Sequence, residues 1–205
     1  MTIDHIGMLF FPSQLLWRII GRVSFPLFAF LIAEGFEKTS DVRKYFSRLL
    51  SFAALSQIPY SLFMFSTGFP SPHLNIFFTL SAGLFALILW KQLPPRYSAP
   101  SIGLLMYLAE CASFDYGAYG ILTILASALL LRFRTTGIIS LTLLPLLYTA
   151  IYSLVSALSL QMYASISVPL VTIYNKEHGK HFPRRLLYWF YPVHFLLLLS
   201  IWHFI

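Results

Sequence analysis

Asp4 and His5 stand side by side at the start of an apolar run, TIDHIGMLFFP. Imidazole titrates near neutrality and serves as a general base or acid, so this pair could move a proton. The plainer alternative is a helix start, with Thr2 or Asp4 as N-cap and His5 at the level of the lipid headgroups. The stretch RIIGRVSFPLFAFLIAEGF puts Arg22 in the first turns of a long apolar segment and Glu34 near its far end. A charge at the centre of a membrane helix costs about 2.5–3.5 kcal/mol on insertion scales, so Arg22 either snorkels to the headgroups or has a partner or a function. Glu34 stands one turn before Lys38, a spacing that predicts an ion pair. In LLYWFYPVHF, Tyr191 and His194 are three apart and share a helix face. His194 lies deep in apolar sequence, as a proton carrier or as a structural hydrogen-bonding group. Asn75 and Thr79, four apart, predict glue between helices rather than substrate contacts. Glu110 falls in a fifth apolar span, and Asp115, close to Gly117 and Gly120, reads as a turn or cap residue. No phosphate loop, HExxH, paired CxxC or GxSxG elbow occurs. The single cysteine, Cys111, excludes an internal disulfide, and no metal site is expected.

The elements that hold these residues must be membrane helices. Of 205 residues, 58% are hydrophobic and 10% charged, where a soluble domain carries about 25% charged residues. This predicts an all-α, multi-pass bundle in the cytoplasmic membrane, a single domain over residues 1–205 with almost nothing outside the bilayer. No cleavable signal is visible before the first apolar run. Apolar runs between polar breaks predict about nine spans, near 3–16, 18–36, 46–66, 74–92, 100–114, 118–132, 137–157, 159–174 and 185–204. Pro26, Pro59, Pro145, Pro169 and Pro192 interrupt them, and each predicts a kink with a free carbonyl. Basic residues cluster after the even-numbered spans: Lys38, Arg43, Lys44 and Arg48; Lys91 and Arg96; Arg132 and Arg134; Lys176, Lys180, Arg184 and Arg185. By the positive-inside rule the amino terminus and these loops are cytoplasmic. The net charge of +7 thereby records topology, and no nucleic-acid partner is expected. Residues 37–48 read as a polar stretch along the cytoplasmic surface.

Six strings in order, TIDHIGMLFFP, IGRVSFPLFAFLIAEGF, KYFSRLLSFAALSQIPY, LNIFFTL, FDYGAYGILTIL and LLYWFYPVHFLLL, resemble the TraX family over about residues 2–200. The founding member of that family is held to acetylate the amino terminus of a pilin subunit. The family is in turn similar to the transmembrane acyltransferases, which take an acyl group from cytoplasmic acyl-CoA. The resemblance implies an integral membrane acetyltransferase that uses acetyl-CoA and acts on an amine or hydroxyl of a surface protein or glycan. It implies His5 as the base in the first span, and Arg22 as stabiliser of the oxyanion or holder of an anionic part of the donor. Asp4, Glu34, Asn75, Tyr191 and His194 follow as further site candidates, and Arg43, Lys44, Lys180, Arg184 and Arg185 as partners for the CoA phosphates. In the larger superfamily a basic residue often precedes the histidine by about ten positions. That residue has no counterpart here, because the chain begins four residues before His5. The run from Thr2 to Pro12 also covers only about 16 Å as a helix, half a hydrocarbon core. Either the coding sequence starts further upstream or this member has a shortened first helix. The competing reading is a small transporter or an assembly factor for a surface structure, since intramembrane Arg22, Glu34 and His194 with proline-broken helices also suit a carrier. The lack of internal repeats speaks against the transporter.

Overall fold

The computed structural model describes residues 1–68, 73–153, 160–175 and 184–204. The described residues form helices α1 (Thr2–Phe10), α2 (Leu15–Arg22), α3 (Ser24–Lys38), α4 (Val42–Ser66), α5 (Ile76–Gln92), α6 (Pro95–Cys111), α7 (Gly117–Arg132), α8 (Arg134–Ser153), α9 (Ser167–Thr172) and α10 (Arg184–Phe204), with a 3-10 segment at Leu160–Ile166 before α9. Leu15–Lys38, Val42–Ser66, Arg134–Ile151 and Leu186–Phe204 are long and apolar enough to cross a membrane; Ile76–Gln92 and Gly117–Arg132 are apolar but shorter. The described residues thus form an all-helical fold with the character of a membrane bundle.

Exposure separates two kinds of helix. α5 and α7 pack on each other, α7 also against α3 and α8, and α5 against α4 and α6. Their contact faces are buried and include small residues such as Ala82, Ala86, Ala126 and Ser127, which let membrane helices approach closely. The outer helices leave large apolar side chains uncovered, among them Leu55, Ile58, Leu62 and Phe65 of α4 and Leu196, Leu197 and Ile201 of α10. In water such surface would drive association; in hydrocarbon it is solvated.

The helix boundaries refine the sequence expectations. The run near 3–16 ends as helix at Phe10, with a short turn before Leu15, because Pro12 lacks an N–H and disfavours helix at the residue before it. The second span is two helices that break at Val23, three residues before Pro26, and Ser24 Oγ donates to the Gly21 carbonyl at 2.6 Å across the break. Pro59, Pro145 and Pro192 lie inside α4, α8 and α10. The fifth span starts at Pro95 rather than near 100. Within the polar stretch 37–48, α3 runs to Lys38 and α4 starts at Val42, and Lys38, Ser40, Arg43, Lys44 and Arg48 are exposed. Asp41 caps α4, its carboxylate accepting from the Lys44 backbone N–H at 2.9 Å. That bond, with the Lys44 ammonium beside it, holds the Asp41 carboxyl below its usual range.

Asn75 plays a similar part at the other end of the bundle. Fully buried at the N-cap of α5, its Oδ1 accepts from Phe77 N, while its Nδ2 donates to the Ala53 carbonyl at 2.7 Å and to Gln57 Oε1 at 2.9 Å. One side chain caps one helix and ties it to a second, as the polar spacing predicted. Asn75→Ala removes the cap and leaves a buried carbonyl without its donor. It should cost about 2–3 kcal/mol, read as a lowered midpoint of thermal unfolding in detergent, while Asp41→Ala at the exposed cap should cost about 1 kcal/mol.

Candidate functional site

α1 and α2 form a tight antiparallel hairpin. A Cβ on Gly7 would meet the Trp17 side chain, and one on Gly21 would meet Asp4. These two glycines set the distance between the helices, and that distance lets Asp4 reach both arginines of α2. Arg18 Nε donates to Asp4 Oδ1 at 2.8 Å, and Arg22 Nη2 donates to Asp4 Oδ2 at 3.1 Å and Oδ1 at 3.3 Å. The Asp4 and Arg22 side chains are 11% and 15% exposed, so this is an interior ion pair. Arg22 turns inward rather than snorkelling, and its Nη1 contacts Gln161 Oε1 at 3.5 Å. Its buried Nε has no hydrogen-bond partner among the described residues. Asp4 sits in the first turn of α1 with Met1 at the N-cap position; its carboxylate serves the arginines and not a cap.

His5, the next residue along α1, points to a different neighbour. Its Nδ1 lies 2.8 Å from Nε2 of His194 on α10, 189 residues away in sequence. The two ring centroids are 5.0 Å apart with 20° between planes, the spacing of an edge-to-edge, nearly coplanar pair. Phe63 and Phe195 close on His5 with centroids at 5.2 and 4.6 Å. His194 is buried, and its Nδ1 lies 3.1 Å from the Phe190 carbonyl. Tyr191, one turn earlier, is 2% exposed and packs against His194 and Phe195. His5 itself is half-buried. A histidine in an apolar collar, anchored by one ring nitrogen and partly open, is a sound geometry for a general base.

The loop before α7 approaches the same region. Phe25 stacks on Tyr116 at 3.8 Å, and Asp115 N donates to the Leu74 carbonyl, joining this loop to the one before α5. Asp115 keeps solvent access. The protein around it nonetheless pushes its carboxyl up to about 6, against the pull of Arg22.

The structure therefore brings together His5, Asp4, Arg22, Tyr191 and His194. Glu34 lies at the opposite end of α3, bonded to Lys38 at 2.8 Å and to the Tyr174 hydroxyl at 2.6 Å. There Glu34, Glu37, Lys38, Lys91 and Arg132 line a cavity of about 580 Å³ beside Trp90. Asn75 is occupied as cap and tie. Arg43 and Lys44 are exposed at the start of α4; Lys180 and the side chains of Arg184 and Arg185 lie outside the described residues. Sequence reasoning passed over Arg18 and Gln161. Arg18 had a signal, being four residues from Arg22 on one helix face; Gln161, 139 residues from its partner, had none.

A family model described as TraX protein matches residues 1–202. The probable fimbrial assembly protein FimC, serogroup H1, of Dichelobacter nodosus is 32% identical over 223 aligned residues, which take in 98% of this chain and 90% of that protein. An uncharacterized protein of Rickettsia prowazekii is 47% identical over a local match of 36 residues, 18% of this chain and 14% of that one. No solved structure matches the chain.

The ion pair makes a stability prediction. Asp4→Ala strands the Arg22 guanidinium in the interior and should cost about 3–5 kcal/mol, whereas the double change Asp4→Leu, Arg22→Met should cost much less than either single change. Thermal unfolding in detergent reads the difference; additive losses would mean that the two groups do not interact.

Proposed function

The chain belongs to the TraX family, and from that premise we propose that it is an integral membrane acyltransferase that moves an acetyl group from acetyl-CoA to an amine or hydroxyl of a surface protein or glycan. The observation that carries the reading is His5, half-buried in the bundle and anchored on His194. In the reaction, the acceptor nitrogen or oxygen attacks the thioester carbonyl and gives up its proton to the His5 imidazole. The tetrahedral intermediate collapses with cleavage of the C–S bond. The CoA thiolate leaves and takes the proton back, so that free CoA and acetylated acceptor are the only products. The Arg22 charge, linked to the start of α1 through Asp4, stabilises the negative charge that develops on the thioester oxygen.

The similarity to a probable fimbrial assembly protein makes a subunit of a surface appendage the leading acceptor. The same likeness is what supports the second reading, a non-enzymatic assembly factor. The donor approaches from the end that carries Lys38, Lys91 and Arg132, with Arg43, Lys44, Lys180, Arg184 and Arg185 as further partners for its phosphates. That end is taken as cytoplasmic by the positive-inside rule, in a multi-pass protein of the cytoplasmic membrane with about nine spans; the Met1 ammonium, expected on that side, instead donates to Ser24 Oγ at 3.0 Å, at the other end of α3. From Lys38 back to Ser24, α3 rises about 21 Å, so the acetyl group must be carried well into the bundle to meet His5.

Two measurements test this. Membranes containing the chain should consume acetyl-CoA above an empty-membrane control when given bacterial extract as acceptor source, and His5→Ala should lower the rate at least about 10²-fold. Equal consumption with and without His5 removes it from the mechanism; none by either form favours the assembly factor. For orientation, a membrane-impermeant maleimide should label the exposed Cys111 in intact spheroplasts. In a Cys111→Ser background, Thr39→Cys should be labelled only after permeabilisation.

A further inference from the structure

His194 has a hydrogen-bond geometry that leaves little freedom. Its Nδ1 faces the Phe190 carbonyl oxygen at 3.1 Å. A carbonyl only accepts, so Nδ1 must carry the hydrogen and donate. In a neutral imidazole the other nitrogen is then an acceptor. That nitrogen, Nε2, lies 2.8 Å from His5 Nδ1, and two lone pairs cannot face each other at that distance. His5 Nδ1 must therefore be the donor. The chain of bonds runs from His5 Nδ1–H to His194 Nε2 and from His194 Nδ1–H to the Phe190 carbonyl.

We infer that His194 is a positioning residue that holds His5 in its Nδ1-protonated tautomer, leaving His5 Nε2 as the nitrogen that accepts the proton from the acyl acceptor. Free histidine in water favours the opposite tautomer, with the hydrogen on Nε2. Without His194, His5 would carry its hydrogen on the nitrogen that has to receive one. The pair repeats, with an imidazole in place of a carboxylate, the way a base is oriented by a third group in acyl-transfer sites. The surroundings suit this role, since Phe63, Phe195 and Tyr191 pack around the two rings and hold their planes. Asp4, although adjacent to His5 in sequence, is committed to Arg18 and Arg22, so the orienting role falls to α10. This deepens the acyltransferase reading and rests on it for its chemical purpose, but the tautomer itself is measurable without any activity.

The test is nitrogen NMR of the full chain in detergent or nanodiscs with 15N-labelled histidine, the His5 signals assigned by their loss in His5→Gln. In the wild type, His5 Nδ1 should be the protonated, pyrrole-type nitrogen and Nε2 the bare, pyridine-type one. His194→Gln places an amide oxygen close to where Nε2 lay; it should keep that tautomer and retain acetyl-CoA consumption within about tenfold. His194→Ala should release His5 to the Nε2–H form and lose about 10²-fold or more, below the roughly 10⁴-fold known for a wrongly oriented base. A protonated Nε2 on His5 in the wild type overturns the inference. So does His194→Ala with reduced consumption and an unchanged His5 tautomer, since His194 would then act by packing alone. The predicted tautomer together with full consumption by His5→Ala supports the bonding assignment and overturns the function of His5 as base.

Discussion

A carboxylate and a guanidinium that lie inside an apolar bundle have no stable alternative to finding each other. Asp4 and Arg22 are that pair, with Arg18 as a second cation at the rim, and the placement of the first helix depends on them. α1 is nine residues long, too short to be held by hydrophobic area alone. Leu9 joins the core, but apolar contacts tolerate sliding by a turn. The ion pair does not, because any other register would leave Asp4 or Arg22 buried and uncompensated. Gly7 and Gly21 make the approach possible by giving up their side chains at the contact. With Asp4 committed to α2, the next residue is turned by about 100° toward α10, and His5 arrives at His194.

The ion pair and the imidazoles thus stand on different partners. The arginines keep α1 in place, while the imidazoles sit among Phe63, Phe195 and Tyr191. Such a collar limits water around a base and fixes its plane, the usual condition for orienting a proton acceptor. The other charged region, Glu34, Glu37, Lys38, Lys91 and Arg132, lies at the far end of α3. The two charged regions thus lie towards opposite ends of α3, one beside Ser24 and one beside Lys38.

Much of this was legible in the sequence, for local reasons. Composition and apolar run lengths point to a membrane bundle, and several observed helices follow the expected runs with their ends moved by identifiable residues: Pro12 ends the first, Pro26 marks the break in the second, and Asp41 starts α4. The run near 159–174 is instead a 3-10 segment followed by a six-residue helix, and four of the described helical stretches are long and apolar enough to cross a membrane. The Glu34–Lys38 pair follows from one-turn spacing, and the tie made by Asn75 follows from its place before α5. His5, Arg22, Tyr191 and His194 each stood out singly, because polar groups are rare in such a chain and an intramembrane ionisable group needs a reason.

Which of them meet was not legible. Helix periodicity assigns faces within about one turn and carries no information across 189 residues, so His5 and His194 could only be paired by the packing of α1 on α10. The same holds for Gln161 and Arg22. Asp4 illustrates the point: its neighbour in sequence is a histidine, yet its partners in space are arginines on α2. The sequence by itself determined the class of molecule, its helical character and the short roster of polar residues that need partners, since these follow from hydrophobicity and local geometry. The tertiary structure alone decided the partnerships, because a hydrogen bond between distant helices exists only once their packing has set the distance and the angle.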